Sequence, residues 1–248
     1  MQHTALIISF MKTPRSHPWD LDASQARQLQ VKLSREVIRR NAGPDVRLIA
    51  GIDVSVSRFS RTGRAAVVVL DYPALELREV SVAEGEINFP YIPGLLSFRE
   101  APLALSAWRG LKSRPGLLMV DGQGIAHPRR LGIASHLGLL LGIPSIGCAK
   151  SRLTGTHDPL PVEAGSCRLL RDGDEVIGAA VRTKRMVKPI FVSIGHMIDL
   201  DSAISLVLWC CRGYRLPQPT RLAHMAAGGS PLLPGDGQMT DKQKVGRV

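Results

Sequence analysis

Three strand-like stretches, Leu48–Val56, Ala65–Asp71 and Glu76–Ala83, follow one another with connections too short to hold a helix. Turn-forming residues at Ser60–Gly63 and Tyr72–Pro73 separate them, so neighbouring strands must run antiparallel, as a meander. From Ser97 the pattern changes. A helical stretch over Ser97–Lys112, an apolar strand at Leu117–Val120, a helix over Leu131–Leu141 and a short strand at Pro144–Gly147 succeed one another. Val176–Val181 and Ile190–Ile194 read as further strands, and Asp201–Arg212 as a helix. Three antiparallel strands followed by helix–strand alternation predict an α/β fold, with parallel strands completing a mixed sheet and helices on both faces.

The fourth strand, Leu117–Val120, is expected to return beside the first and parallel to it, which is a ribonuclease H-like order. Sites in such sheets form at the carboxyl ends of neighbouring parallel strands. A helix precedes the meander: Ala26, Leu29, Leu33 and Val37 recur at helical spacing between Asp22 and Asn41, and Gly43-Pro44 ends it. Residues 1–18 read as a flexible leader and the Gly/Pro-rich residues 228–248 as a disordered tail. Residues 19–227, without repeat or linker, read as a single catalytic domain.

Charge narrows the choice of partner. The chain carries a formal +11. Lys12 and Arg15 give the first 18 residues +2 and residues 228–248 add a net +1, so +8 remains in 19–227. An excess of this size in the folded part favours a polyanion, and nucleic acid is the commonest. Cys148, Cys167, Cys210 and Cys211 have no metal-ligand spacing and fit a reducing cytosol. No apolar run reaches the roughly 18 residues that cross a bilayer. The apolar patch Ala5–Phe10 lacks the basic flank and cleavage site of a signal peptide. A cytoplasmic protein with no membrane partner is expected, a monomer by default.

Asp53 interrupts the apolar strand LIAGIDVSV, where an aspartate opposes both burial and strand propensity unless a metal or partner compensates it. Asp121 ends LLMVDG, where the chain leaves the sheet. If the first and fourth strands are neighbours, the two carboxylates face each other, and Glu100 enters from the first turn of the helix between them. Glu100 alone would serve only the helix dipole. Three converging carboxylates in a basic protein point to a hard cation, Mg²⁺ or Mn²⁺, that activates water for phosphodiester hydrolysis.

Other residues are candidates around that centre. His127, in the glycine-loosened DGQGIAHPRR, can orient water or donate a proton. Lys150 follows a short strand and can neutralise phosphate charge, and His224 can join if its helix reaches the acids. The loop NFPYIPGLLS holds Tyr91 and Ile92 between Pro90 and Pro93, a stiff aromatic wedge for stacked bases, with Arg99 assigned to nucleic-acid binding beside it.

These segments closely resemble endonuclease V, a family that nicks nucleic acid near deaminated bases, chiefly hypoxanthine. The resemblance rests on GIDVS, PYIPGLLSFRE (Pro90–Glu100), VDGQGIAHPRRLGIASH (Val120–His136) and CAKSRLTG around Lys150. SIGHMIDLDSA from Ser193 and RGYRLPQPTRLAH ending at His224 extend it over residues 19–227. It implies a ribonuclease H-like core and Mg²⁺-dependent hydrolysis of the second phosphodiester 3′ to the lesion, leaving a 3′-hydroxyl and a 5′-phosphate. It assigns the metal to Asp53, Glu100 and Asp121, makes His127, Lys150 and His224 active-site residues, and makes the Pro90–Pro93 loop the wedge. A flipped base would then sit against Gly122, Gly124 and Gly132. The chain departs from the family's pattern in VSVSRFSRTG after Asp53, and His224 stands where some relatives have aspartate.

Three rivals are weighed. An endoribonuclease acting on inosine in RNA would use the same motifs. A non-catalytic lesion-binding protein would keep the wedge without needing the acids. An ATP-dependent sugar or acetate kinase also opens with an Asp-bearing strand and a meander. The kinase is disfavoured because the chain lacks a second phosphate-binding glycine turn, is short for two lobes and is strongly basic.

Overall fold

The computed structural model describes residues 16–41, 46–56 and 61–232. Its elements in chain order are α1 (Ala23–Ser34), β1 (Leu48–Val56), β2 (Thr62–Asp71), β3 (Leu77–Glu86), α2 (Leu96–Arg109), β4 (Leu117–Val120), α3 (Ile133–Leu141) and β5 (Ser145–Ala149). The series continues with β6 (Cys167–Asp172), β7 (Glu175–Val181), β8 (Ile190–His196), α4 (Leu200–Trp209) and α5 (Gln218–Ala227). Among the described residues no helix is long and apolar enough to cross a membrane.

One eight-stranded sheet runs in the order β3-β2-β1-β4-β5-β8-β7-β6. The meander is antiparallel throughout, and β4 lies parallel to β1 with Ile52 opposite Val120. β5 is parallel to β4, while β8 returns antiparallel beside it. This is the expected mixed α/β sheet.

The strand pattern explains why helices cover both faces. In β1, Ile49 joins Val68, Leu70 and Met119 against Leu222 and Ala223 of α5 and Ala203 and Val207 of α4. The alternate residues Ala50 and Ile52 join Val67, Val69 and Val120 against Ala101 and Leu105 of α2 and Ala134 and Leu137 of α3. A strand buried on both faces reads as a continuous apolar run. Against that background Asp53 stands out.

α5 comes unusually near the sheet. A Cβ on Gly51 would lie 1.9 Å from the carbonyl oxygen of Pro219, so only glycine lets the start of α5 rest on β1 two residues before Asp53.

Two expectations change. The first helix stops at Ser34 rather than Asn41: Ile38 N donates to His196 Nδ1 at 3.2 Å and Ile38 O accepts from Met197 N at 2.7 Å, so tertiary partners replace helical ones. Strand β6 was not anticipated, because only Leu170 among its six residues is buried and the rest carry no apolar alternation. Most of the leader and of the tail falls outside the described residues. Within the leader, His17 is packed, stacked on His136 with ring centroids 4.9 Å apart and Nε2 atoms at 2.8 Å.

Candidate active site

Asp53 projects near the carboxyl end of β1, and Asp121 follows β4 directly. Asp121 N donates to Ile52 O at 3.1 Å, which extends the parallel ladder by one rung and sets the two acids side by side. From α5, His224 Nδ1 comes within 2.7 Å of Asp53 Oδ2. Ligand atoms of Asp53, Asp121 and His224 all lie within 4.8 Å of one another, a spacing that suits a single cation. Lys150, one residue past β5, puts Nζ 2.5 Å from Asp121 Oδ2 and 3.2 Å from His224 Nδ1.

Asp53 and Asp121 side chains are only 13% and 7% exposed. Burial and the neighbouring Asp53 charge raise the Asp121 carboxyl against the pull of Lys150. Lys150 is ion-paired to Asp121 Oδ2, an oxygen otherwise buried without a hydrogen-bond partner. Glu100 stands outside the tight group but feels it: burial first, then Asp53, pushes its carboxyl up to about 8. Three acidic side chains are therefore crowded here, with Lys150 paired to Asp121 and His224 to Asp53.

Beside the acids opens a cavity of about 300 Å³. Tyr91, Ile92, Pro93 and Gly94 form one wall; Gly122, Gln123, Leu131 and Gly132 form another, with Asp121 and Lys150 at the edge. Tyr91 is 71% exposed and stands at the rim. Arg99 Nη1 donates to Phe89 O at 2.9 Å, bracing the loop from behind. Gly124 is not part of the lining; it packs so closely on β8 that a Cβ would meet Ile194 O at 2.0 Å. His127 lines the cavity but does not join the acids. Its Nδ1 accepts from Arg129 N at 3.0 Å, so Nε2 carries the proton and donates to Gly94 O at 2.9 Å. Burial lowers this imidazole to about 4, which keeps it neutral.

A family model described as Endonuclease V matches residues 31–225. An Endonuclease V from Dehalococcoides mccartyi is 55% identical over 217 residues, 88% of this chain and 97% of the relative. The chain belongs to the endonuclease V family. The crystal structure of the Streptomyces avermitilis Endonuclease V is similar at a TM-score of 0.81 and 40% identity, covering 88% of this chain and 97% of that one. An Endonuclease V from Ciona intestinalis, in complex with a 24mer DNA containing an inosine followed by a ribo-adenosine, gives a TM-score of 0.73 at 27% identity. It covers 83% of this chain and 95% of that one.

Within this endonuclease V fold, the acids Asp53 and Asp121, with Lys150 and His224, meet as one group. Gln30 was missed. It sits on the buried side of α1 with Ala26 and Leu33, and a glutamine on an otherwise apolar helix stripe was the available signal.

Proposed function

We propose that the chain is a DNA repair endonuclease that nicks at the second phosphodiester 3′ to deoxyinosine and related deaminated bases. The observation that carries this reading is the convergence of Asp53, Asp121 and His224 at the ends of adjacent parallel strands, opening onto a cavity rimmed by Tyr91. The donor set suits a divalent cation. Two carboxylates and an imidazole offer it oxygen and nitrogen ligands, and burial, with the neighbouring Asp53 charge, raises the Asp121 and Glu100 carboxyls. Mg²⁺ is the expected ion and Mn²⁺ a substitute, held by Asp53 and Asp121 with Glu100 or His224 completing the set. Such an ion lowers the pKa of bound water and offsets charge on the phosphate.

In the hydrolysis, a water oxygen bonds to phosphorus and the P–O3′ bond breaks. The 3′ oxygen leaves as a hydroxyl and the phosphate stays on the 5′ end. Asp53 and Asp121 orient the attacking water, and Lys150 neutralises developing negative charge. The Pro90–Pro93 loop with Tyr91 and Ile92 separates the strands, and the cavity receives the displaced base against Gly122 and Gly132. Burial of Cys148, Cys210 and Cys211 as free thiols is consistent with a cytoplasmic location.

A second reading, cleavage of RNA at inosine, draws support from the ribo-adenosine that follows inosine in the Ciona complex. Matched DNA and RNA oligonucleotides, each with one inosine, incubated with Mg²⁺ or EDTA, separate the readings. A Mg²⁺-dependent nick one nucleotide beyond inosine in DNA is expected. Faster cutting of the RNA would move the assignment to an endoribonuclease, and binding without cleavage of either would leave a lesion-binding protein.

A further inference from the structure

We infer that Gln30 is a positioning residue for the bound base: its buried amide ties together the two walls of the cavity and so sets their separation. The inference rests on reading the cavity as a base pocket.

Gln30 belongs to α1, contributes nothing to the acid cluster and is 1% exposed. Its Nε2 donates to Gly94 O at 2.9 Å and to Leu131 O at 2.8 Å, while Oε1 accepts from Arg129 Nε at 2.5 Å. Gly94 closes the Tyr91 loop, and Leu131 immediately precedes Gly132 in the second lining segment. One amide nitrogen therefore clamps two separate lining segments together at the edge of the cavity. Both of its N–H groups are committed to backbone carbonyls, and the backbone cannot yield without breaking one of them.

The Gly94 carbonyl is held from other directions too. Arg129 Nη2 donates to it at 2.8 Å and His127 Nε2 at 2.9 Å. Gly94 has φ +78, so the turn itself calls for glycine. Anchoring α1 does not require this amide. Phe89, Leu95 and Phe98 pack on Ala26, and Leu131 and Leu139 on Leu33. A methionine would keep the stripe apolar but leave Leu131 O and the charged Arg129 Nε without this partner, so some loss of stability accompanies the change in the cavity. The amide's particular contribution is geometric. A base is selected by polar groups at fixed spacing, and a wall displaced by about 1 Å can cost up to roughly a hundred-fold.

The test is the ratio of Kd for a strand bearing guanine to Kd for the same strand bearing hypoxanthine, measured in EDTA by fluorescence anisotropy. Gln30→Glu keeps the acceptor for Arg129 but sets an oxygen against the Gly94 and Leu131 carbonyls; Gln30→Met keeps the length and removes every bond. A ratio is insensitive to the folded fraction, so lower stability in either variant leaves it readable. Both variants are expected to lower the wild-type ratio about ten-fold. Unchanged ratios in both overturn the inference while leaving the base pocket intact. A wild-type ratio near one overturns the pocket reading and the inference with it.

Discussion

Two buried polar clusters lie on either side of one cavity and are built on opposite terms. Around Gln30, Arg129, His127 and Gly94, donors face acceptors: the amide, the guanidinium and the imidazole all end on carbonyls or on one another. Around Asp53, Glu100 and Asp121, three acidic groups crowd together, with Lys150 set against Asp121 and His224 against Asp53. A satisfied network fixes geometry. A cluster crowded with acids holds electrostatic free energy that a bound cation would release, which is what the proposed reactive centre requires.

The largest effect expected from breaking the contrast is on the acidic side. Asp121→Asn should reduce cleavage about a thousand-fold while leaving the thermal midpoint no lower than wild type. Retention of more than a tenth of the activity would mean that the crowded acids are not the seat of reaction.

Glu100→Gln sharpens the same point through stability. Because the folded carboxyl titrates at about 8, well above its ordinary 4.5, the folded chain holds a proton that the unfolded chain has lost. Stability is therefore full below pH 4.5 and drains away as pH rises towards 8. The glutamine, which cannot ionise, should gain roughly 1–3 kcal/mol over the metal-free parent at pH 7 to 8 and nothing at pH 4. Urea melts at the two pH values check this, and equal gains at both would show that charge is not the cause.

On the ordered side, Tyr91→Ala leaves the hydrogen bonds around Gly94 in place and removes only the exposed ring. Binding to duplex DNA with one inosine should weaken about ten-fold, with little change on the single strand. Equal losses on both would argue against a wedge.

The smallest effect is an acid limb. Burial, with His17 adjacent, lowers His136 to about 3 and burial lowers His127 to about 4, both from 6.5. The unfolded chain takes up protons that the folded chain refuses, so stability is lost as pH falls below 6.5. Each histidine contributes up to about 1.4 kcal/mol per pH unit. His136→Leu should remove its share of that slope between pH 6.5 and 5.5; a slope unchanged from wild type would place the acid sensitivity elsewhere.

How legible each cluster was follows from how local its cause is. Asp53 was readable because a carboxylate inside LIAGIDVSV contradicts its own surroundings, and Asp121 because it ends a strand whose partner the meander implies. Parallel pairing of β1 with β4 then did the rest. The Gln30 network was not readable. It joins residues separated by 64 and 101 positions through backbone carbonyls, and carbonyls leave no trace in side-chain patterns. His127 was read as an active-site histidine from its motif, but which partners hold its two nitrogens is a tertiary fact. Strand β6 escaped because an edge strand with one buried residue lacks the alternation that marks a strand.

The seating of α5 on Gly51 has a consequence for how the chain comes into being. Asp53 and His224 are 171 positions apart, and the helix bearing His224 reaches β1 only where glycine admits it. On the ribosome the sheet's first strands can pair early, while the face of β1 at Gly51 stays uncovered until α5 emerges and docks. A chain interrupted before α5 would carry both aspartates and Lys150 without His224, so the group formed by these four residues assembles only once position 224 has been made.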